Sequence, residues 1–168
     1  DGIHQRVALN FFPESSTLNS WNTTVFGVYL EDTEGTKLFS QLGPGLEFNY
    51  DTTSFGANYT EYDEVLRPQD FNGLAGNRSY NYADWQLRLE NNTLNSLEFE
   101  ASYRSGTSLN LVPPRGAMPD IVDSARVSVD ALWRPFDRLR VLNTYLNTAL
   151  ETKSGAKVFT NRIARSNW

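Results

Sequence analysis

Glu98 and Glu100 stand two residues apart, a spacing that puts both carboxylates on one face of an extended segment. Two carboxylates about 5 to 9.5 Å apart, one of them held protonated, are the apparatus of glycoside hydrolysis. Any two same-face strand residues meet that distance, and Arg88 and Arg104 fall into the same pattern, so the simpler reading is a charge-balanced polar wall. His4 is the only histidine and cysteine is absent. That removes multi-histidine metal sites, disulfides and thiolate chemistry, and with His4 read as a solvated polar-face residue no Ser-His-Asp triad is expected. Glu61, Asp63, Glu64 and Asp70 in a long connection, and Glu31, Asp32 and Glu34 in a shorter one, carry oxygen ligands of the kind calcium takes. Neither set follows the spaced Asp-x-Asp-x-Asp-Gly loop with its distal Glu, and solvated acidic loops are expected. Asn22-Thr23-Thr24, Asn58-Tyr59-Thr60, Asn77-Arg78-Ser79 and Asn91-Asn92-Thr93 fit the glycosylation sequon, as chance produces in a chain rich in Asn and Thr. No Gly-rich loop joins a strand to a helix, so nucleotide binding has no support. The expectation is no catalytic, cofactor-binding or metal-binding residue, and no cofactor.

The elements that carry these residues are constrained by composition. The chain has 168 residues, 39% of them hydrophobic and 13% aromatic, yet its mean hydropathy is a hydrophilic -0.49. A helical membrane protein needs about 18 consecutive apolar residues, and no such run occurs. Strands of an outer-membrane barrel reconcile the figures, because every second residue of each strand faces a polar lumen. The net charge of -5 argues against a nucleic-acid partner, whose phosphates require a basic surface.

Period-2 alternation recurs between turn signals. Leu97, Phe99, Ala101 and Tyr103 share a parity opposite Glu98, Glu100, Ser102 and Arg104. Ala83, Trp85, Leu87 and Leu89 oppose Asp84, Gln86, Arg88 and Glu90, and with Asn91-Asn92-Thr93 as the turn these two segments predict a hairpin. Similar patterns cover Ile3, Val7, Leu9 and Phe11; Leu38, Leu42, Leu46, Phe48 and Tyr50; Phe55, Ala57 and Tyr59; and Ala125, Val127, Val129, Ala131 and Trp133. Gly43-Pro44-Gly45 interrupts one of them, because Pro lacks the amide a ladder needs or marks a bulge. Segments 21–30 and 139–150 are apolar on both parities and 157–168 is weaker, so their faces stay unassigned. About nine strands result.

Connections add a second signal. Those after Phe12, Tyr50, Glu90 and Trp133 read as short, the last through Arg134-Pro135-Phe136-Asp137. Those at 63–79 and 105–123 read as long and rich in Gly, Pro and Asn, with briefer loops at Asp32-Thr33-Glu34-Gly35 and Thr152-Lys153-Ser154-Gly155 on the same side. Outer-membrane barrels have short periplasmic turns and long outer loops. Tyr80, Tyr82 and Trp85 near one outer strand start, and Trp133 and Phe136 at an inner turn, sit where aromatic girdles meet the membrane interface.

The stretch Arg134-Pro135-Phe136-Asp137-Arg138-Leu139-Arg140, leading to Asn143-Thr144-Tyr145 and then Val158-Phe159-Thr160-Asn161-Arg162-Ile163-Ala164-Arg165-Ser166, resembles a family signature. It is similar to the barrel part of large bacterial outer-membrane proteins of unknown function that carry an N-terminal family-9-like carbohydrate-binding domain. The likeness is looser upstream, at Tyr59-Thr60-Glu61-Tyr62 and Arg67-Pro68-Gln69-Asp70-Phe71. It implies a bacterial outer-membrane location, further strands beyond Trp168 and a carbohydrate-binding domain before Asp1. No catalytic motif maps onto these residues.

The expected fold is all-β: an antiparallel up-and-down meander of about nine strands, an open curved segment of a transmembrane β-barrel. Residues 1–168 are expected to form one partial barrel domain, cut at both ends since Asp1 opens without Met and Trp168 ends a strand-like run. The expected role is pore, anchor or surface platform, linked to carbohydrate binding or uptake. Its partners would be outer-membrane lipid, the rest of its own barrel and carbohydrate. The alternative is a soluble all-β carbohydrate-binding module whose aromatics stack on sugars. An outer-membrane lipase or protease would need a nucleophile and histidine pairing that this chain lacks.

Overall fold

The computed structural model describes residues 1–14, 17–94, 96–136 and 138–168, with the side chains of residues 93 and 94 outside that description. Nine strands follow in chain order: β1 (Gly2–Phe11), β2 (Ser20–Glu31), β3 (Lys37–Tyr50), β4 (Thr53–Leu66), β5 (Arg78–Leu94), β6 (Leu97–Asn110), β7 (Asp120–Phe136), β8 (Leu139–Glu151) and β9 (Lys157–Asn167). All pair antiparallel with their neighbours in sequence, giving one open up-and-down sheet in the order β1 to β9. β1 and β9 are its free edges.

Directly opposed residues of an antiparallel pair share a face, so the register assigns both faces across the whole sheet. One row runs Phe11, Trp21, Phe48, Phe55, Leu89, Ala101, Val129, Tyr145 from β1 to β8. Every member is apolar or aromatic. Phe11 stacks on Trp21 at 4.0 Å between ring centroids, and Trp21 lies 6.4 Å from Phe48. The adjacent row on the other face runs Asn10, Asn22, Glu47, Gly56, Arg88, Ser102, Ser128. Alternation along each strand therefore becomes one apolar and one polar sheet face.

The same register resolves the segments left open by sequence. In β8, Val141, Tyr145 and Ala149 lie on the apolar face with Asn143 and Asn147 between them, while Leu142, Leu146 and Leu150 lie on the polar face. Ile163 and Phe159 of β9 oppose Leu146 and Leu150. In β2, Phe26, Val28 and Leu30 likewise lie on the polar face opposite Arg6, His4 and Gly2, and in β4 Glu61 and Asp63 fall on the apolar side, so the division is sharpest in the rows nearest the tight turns and mixed toward the loop end and at the β8–β9 edge.

Several expectations are corrected. Asn91 and Asn92 belong to β5, which runs to Leu94, so the connection to β6 comes after Leu94 and not at Asn91-Asn92-Thr93. Asp137 lies outside the described residues, and Arg134, Pro135 and Phe136 continue β7. The long connections shrink to 67–77 and 111–119 because β4, β5 and β6 extend with polar residues into what reads as loop. The connection 12–19 is not short, whereas the turn 51–52 is tight and places Asp51 at φ 51°, a left-handed conformation that Asp tolerates. Pro44 introduces no bulge. Leu42 pairs with Glu61 and Gly45 with Asn58 in one unbroken register, and only the pairing of Gly43 and Pro44 with β4 is lost.

Near the loop end of β6 the ladder is re-aimed. Pairing with β5 ends at Asp84 and Gly106, after which Thr107 Oγ1 accepts from Ala83 N–H at 3.1 Å in place of a backbone carbonyl. Gly106 has φ 156°, and a Cβ there would lie 2.3 Å from the Ala83 carbonyl oxygen and 2.5 Å from Asp84 Cα. Gly106→Ala is therefore expected to cost more than about 1 kcal/mol in urea unfolding, since backbone cannot yield as a side chain can. Gly56→Ala, whose Cβ would meet nothing nearer than 3.8 Å, should leave stability unchanged or raise it.

Candidate functional site

The polar face holds the residues that sequence reading singled out, and the structure neutralises them in pairs. Glu100 Oε1 lies 3.1 Å from Arg88 Nε, and Arg88 Nη2 lies 3.3 Å from Glu90. Glu98 is held by Arg134. Glu98 and Glu100 share a face as predicted, but each has its own guanidinium in a solvated setting, where such pairs contribute about 0 to 1 kcal/mol. A hydrolytic pair works as two carboxyls facing one substrate, whereas here each carboxylate is engaged by a guanidinium. Across the middle of the sheet Ser102 and Ser128 hydroxyls meet at 2.7 Å, and Thr144 donates to Asp130 at 2.7 Å.

The remaining acidic candidates are dispersed. Glu61, Asp63 and Glu64 lie in β4 and not in a loop. Glu61 accepts from the Tyr59 hydroxyl at 3.2 Å, Asp63 pairs with Lys37 at 2.5 Å, and Glu64 accepts from the Tyr82 hydroxyl at 3.0 Å. Among the described residues no group of three His, Asp or Glu side chains is placed to hold a metal ion. Parity also divides the expected aromatic girdle. Trp85 is on the apolar face beside Tyr59 and Tyr103, while Tyr82 opposes Tyr62 on the polar face and Tyr80 is buried there.

A hollow of about 510 Å³ opens on the polar face, lined by residues of six consecutive strands, from His4 and Arg6 of β1 to Gln86 of β5 and Arg104 of β6. Its floor depends on two glycines of β3. A Cβ on Gly43 would lie 2.7 Å from the Phe26 ring, and one on Gly45 would lie 2.3 Å from Asn58 Oδ1 and 2.8 Å from Thr24 Oγ1. Side chains from β2 and β4 lie over this part of β3 because it has none of its own. Thr60, Tyr62 and Gln41 complete the wall, and Tyr62 stacks on Tyr82 at 4.8 Å.

Toward the loop end the sheet has its best-packed cluster. Leu66, Tyr80 and Leu109 are buried together, with Phe71, Leu74, Tyr82 and Ile121 packed against them. The Tyr80 hydroxyl donates to the carbonyl of fully buried Pro119 at 3.2 Å, which ties loop 111–119 to β5. Loop 67–77 is fastened by Arg67, whose Nε lies 2.8 Å from Asp70 Oδ2 and whose Nη1 lies 3.2 Å from Asp32 Oδ2. Asp32 in turn accepts the amides of Glu34 and Thr36, each at 2.9 Å. The Thr36 amide, then those of Glu34 and the Arg67 guanidinium, hold the Asp32 carboxyl below the usual carboxylate range. Arg67 does the same for Asp70.

Sequence reading missed the hollow and the loop cluster. Parity alone could have placed Arg104, Gln86 and Thr60 on one wall, but the clustering of Leu66, Tyr80 and Leu109 depends on how the loops fold. Comparison with protein-family models, with curated proteins and with solved structures returns no match.

Tyr80→Ala is expected to release loop 111–119, seen as faster trypsin cleavage after exposed Arg115, while Tyr80→Phe, which loses only the hydroxyl bond, should cost about 1 kcal/mol. Because the folded pKa values of Asp32 and Asp70 are depressed, the Arg67 clamp is present at and above the ordinary aspartate value and is lost as pH falls through the depressed ones. Pepsin cleavage in loop 67–77 should accordingly stay flat until pH drops below the ordinary aspartate value, and Arg67→Ala should move that rise to higher pH.

Proposed function

We propose that this chain is a segment of a bacterial outer-membrane β-barrel, its apolar face toward lipid and its polar face toward a lumen, serving as a pore, anchor or surface platform. The observation that carries the reading is that the apolar face is uncovered. Large side chains of that face are exposed from one side of the sheet to the other, including Val7 at 65%, Val25 at 49%, Leu46 at 44% and Tyr145 at 40%. The accessible surface is 11333 Å², against roughly 8,400 Å² for a folded soluble monomer of this mass. An excess of that size marks a sheet built to be covered.

Lipid suits the cover. The run Ala125 to Trp133 extends roughly 27 Å at about 3.4 Å per residue, which at a barrel tilt near 40° gives a band roughly 20 Å tall, close to the 25 Å of outer-membrane barrels. Trp21, Trp85 and Trp133 all belong to the apolar face. Longer connections gather at one end of the sheet and tight turns at the other, apart from 12–19. A soluble carbohydrate-binding sandwich would instead need a second sheet about 10 Å away, and all nine strands form one sheet. The free edges of β1 and β9 would be completed by further strands of the same barrel, since bacterial outer-membrane barrels close with an even count. A link to carbohydrate binding or uptake rests on the resemblance of the 134–166 stretch alone.

The complete gene product is expected in the outer-membrane fraction with heat-modifiable gel mobility. In vesicles of brominated lipid, the fluorescence of Trp21, Trp85 and Trp133 should be quenched. Ala101→Arg, on the apolar face, should cost about 2 to 4 kcal/mol and impair assembly, while Ser102→Arg on the polar face is tolerated. Recovery as a soluble monomer whose fluorescence ignores brominated lipid would sink the reading.

A further inference from the structure

We infer that the polar face carries an oxyanion-binding site built on Arg104, at the wall of the hollow, and Arg126, opposite it on the next strand, with Arg6 across the hollow, suited to solutes bearing a carboxylate or sulfate group. It deepens the barrel reading and rests on it for the route by which a solute arrives.

Arg104 and Arg126 are directly opposed on β6 and β7. Like charges facing one another across a ladder destabilise it, so the arrangement calls for a counter-charge. Toward the turns of this face Arg88 is held by Glu90 and Glu100 and Arg134 by Glu98, while Arg165, opposite Thr144 on the edge strand β9, has no ion pair among the described residues. Arg104 is partly satisfied, with Nε 3.5 Å from Asp84 and Nη2 donating to Gln86 Oε1 at 3.2 Å. Arg126, by contrast, has no side-chain hydrogen bond or ion pair among the described residues. Arg6, which lines the hollow with Arg104, has none either among the described residues.

The nearby acids do not fill the gap. Asp84 is engaged by Arg104, Asp130 accepts from Thr144, and Glu90 and Glu100 oppose each other one row beyond Arg88, sharing its guanidinium. Neutral donors surround the pair. Thr148 opposes Arg126 on the β8 side, and Gln86, Asn58 and Thr60 continue into the hollow. A planar guanidinium fork binds carboxylate or sulfate through two parallel hydrogen bonds, and two such forks side by side favour a group that can bridge them. The hollow that Arg104 lines, with Arg126 just beyond its wall, holds about 510 Å³, within the roughly 300 to 1,000 Å³ of small-molecule sites.

The test follows arginine Nε–H resonances of the ¹⁵N-labelled, refolded chain in detergent micelles during titration with sodium sulfate, sodium glucuronate and glucose, sodium chloride fixing the ionic strength. Sulfate should move Arg104 and Arg126 saturably, and glucuronate should do so where glucose does not, which separates recognition of charge from recognition of the sugar. Arg126→Gln should weaken binding at least about tenfold, the loss of a charge-assisted pair of bonds. Arg88→Gln should leave it within about twofold, since Arg88 is already paired. Should Arg126→Gln fail to fold, Arg126→Lys decides: a several-fold loss supports the fork, and unchanged affinity overturns it. Absence of saturable shifts at Arg104 and Arg126 overturns the site. The barrel reading is judged separately, by membrane fractionation: a chain in the outer membrane without anion binding refutes the site alone, and a soluble chain that still binds refutes the barrel alone.

Discussion

Antiparallel pairing that keeps one register from β1 to β9 is the constraint on which the rest of this molecule depends. Side chains alternate along a strand, so a slip of a single residue between any two neighbours would carry one strand's apolar set onto the polar face. The irregularities that occur sit at strand ends, next to Glu31, after Asn91, after Trp133 and next to Glu151, where they leave the central rows intact. Pro44 is the informative exception. It removes an amide in mid-strand, yet the register on either side of it is the same, because the flanking glycines let neighbouring side chains lie across β3.

From that register come two faces of different physical character. The apolar face makes few polar bonds, the Tyr59 hydroxyl to Glu61 among them, and beyond its own ring stacking it gains from whatever covers it. The polar face is partly self-satisfied: hydroxyls and amides bond across strands, and Arg88, Arg104 and Arg134 each meet a carboxylate. Such exposed pairs add little stability individually, so their contribution is to charge distribution. Carboxylates concentrate toward the turns, as with Glu90, Glu98 and Glu100, while Arg6 and Arg126, which have no ion pair among the described residues, lie farther along the strands. Among the described residues the cluster of buried apolar side chains, Leu66, Tyr80 and Leu109, lies at the loop end, with Val141 buried apart from it near the β7–β8 connection. One end of the sheet is thereby held by loops, and the rest by the ladder alone.

Where one parity was purely apolar and the other purely polar, as in 97–104 and 125–133, the strands and their faces were legible in the residues themselves. Polar strand ends were not. Glu61, Asp63 and Glu64 read as loop because strand formation there is stabilised by cross-strand partners, Lys37 and Tyr82 among them, that lie far away in sequence. The chemistry was legible mainly as exclusion: no cysteine means no disulfide or thiolate chemistry, and one histidine means no multi-histidine metal site. The hollow went unseen because its walls come from six strands, and no local window contains them.

Alternation, turn residues and connection lengths are properties of neighbouring residues, and by themselves they determined an all-β meander of nine strands with one apolar face. Face assignment in β8 and β9 was decided only by the tertiary structure, since Leu142, Leu146 and Leu150 alternate with Val141, Tyr145 and Ala149 and only hydrogen bonding to β7 breaks the tie. The same holds for Tyr80 under the loops and for Arg104 beside Arg126. Sequence spacing sets the parity of each residue on its own strand, but which residue it faces is set by the register between strands.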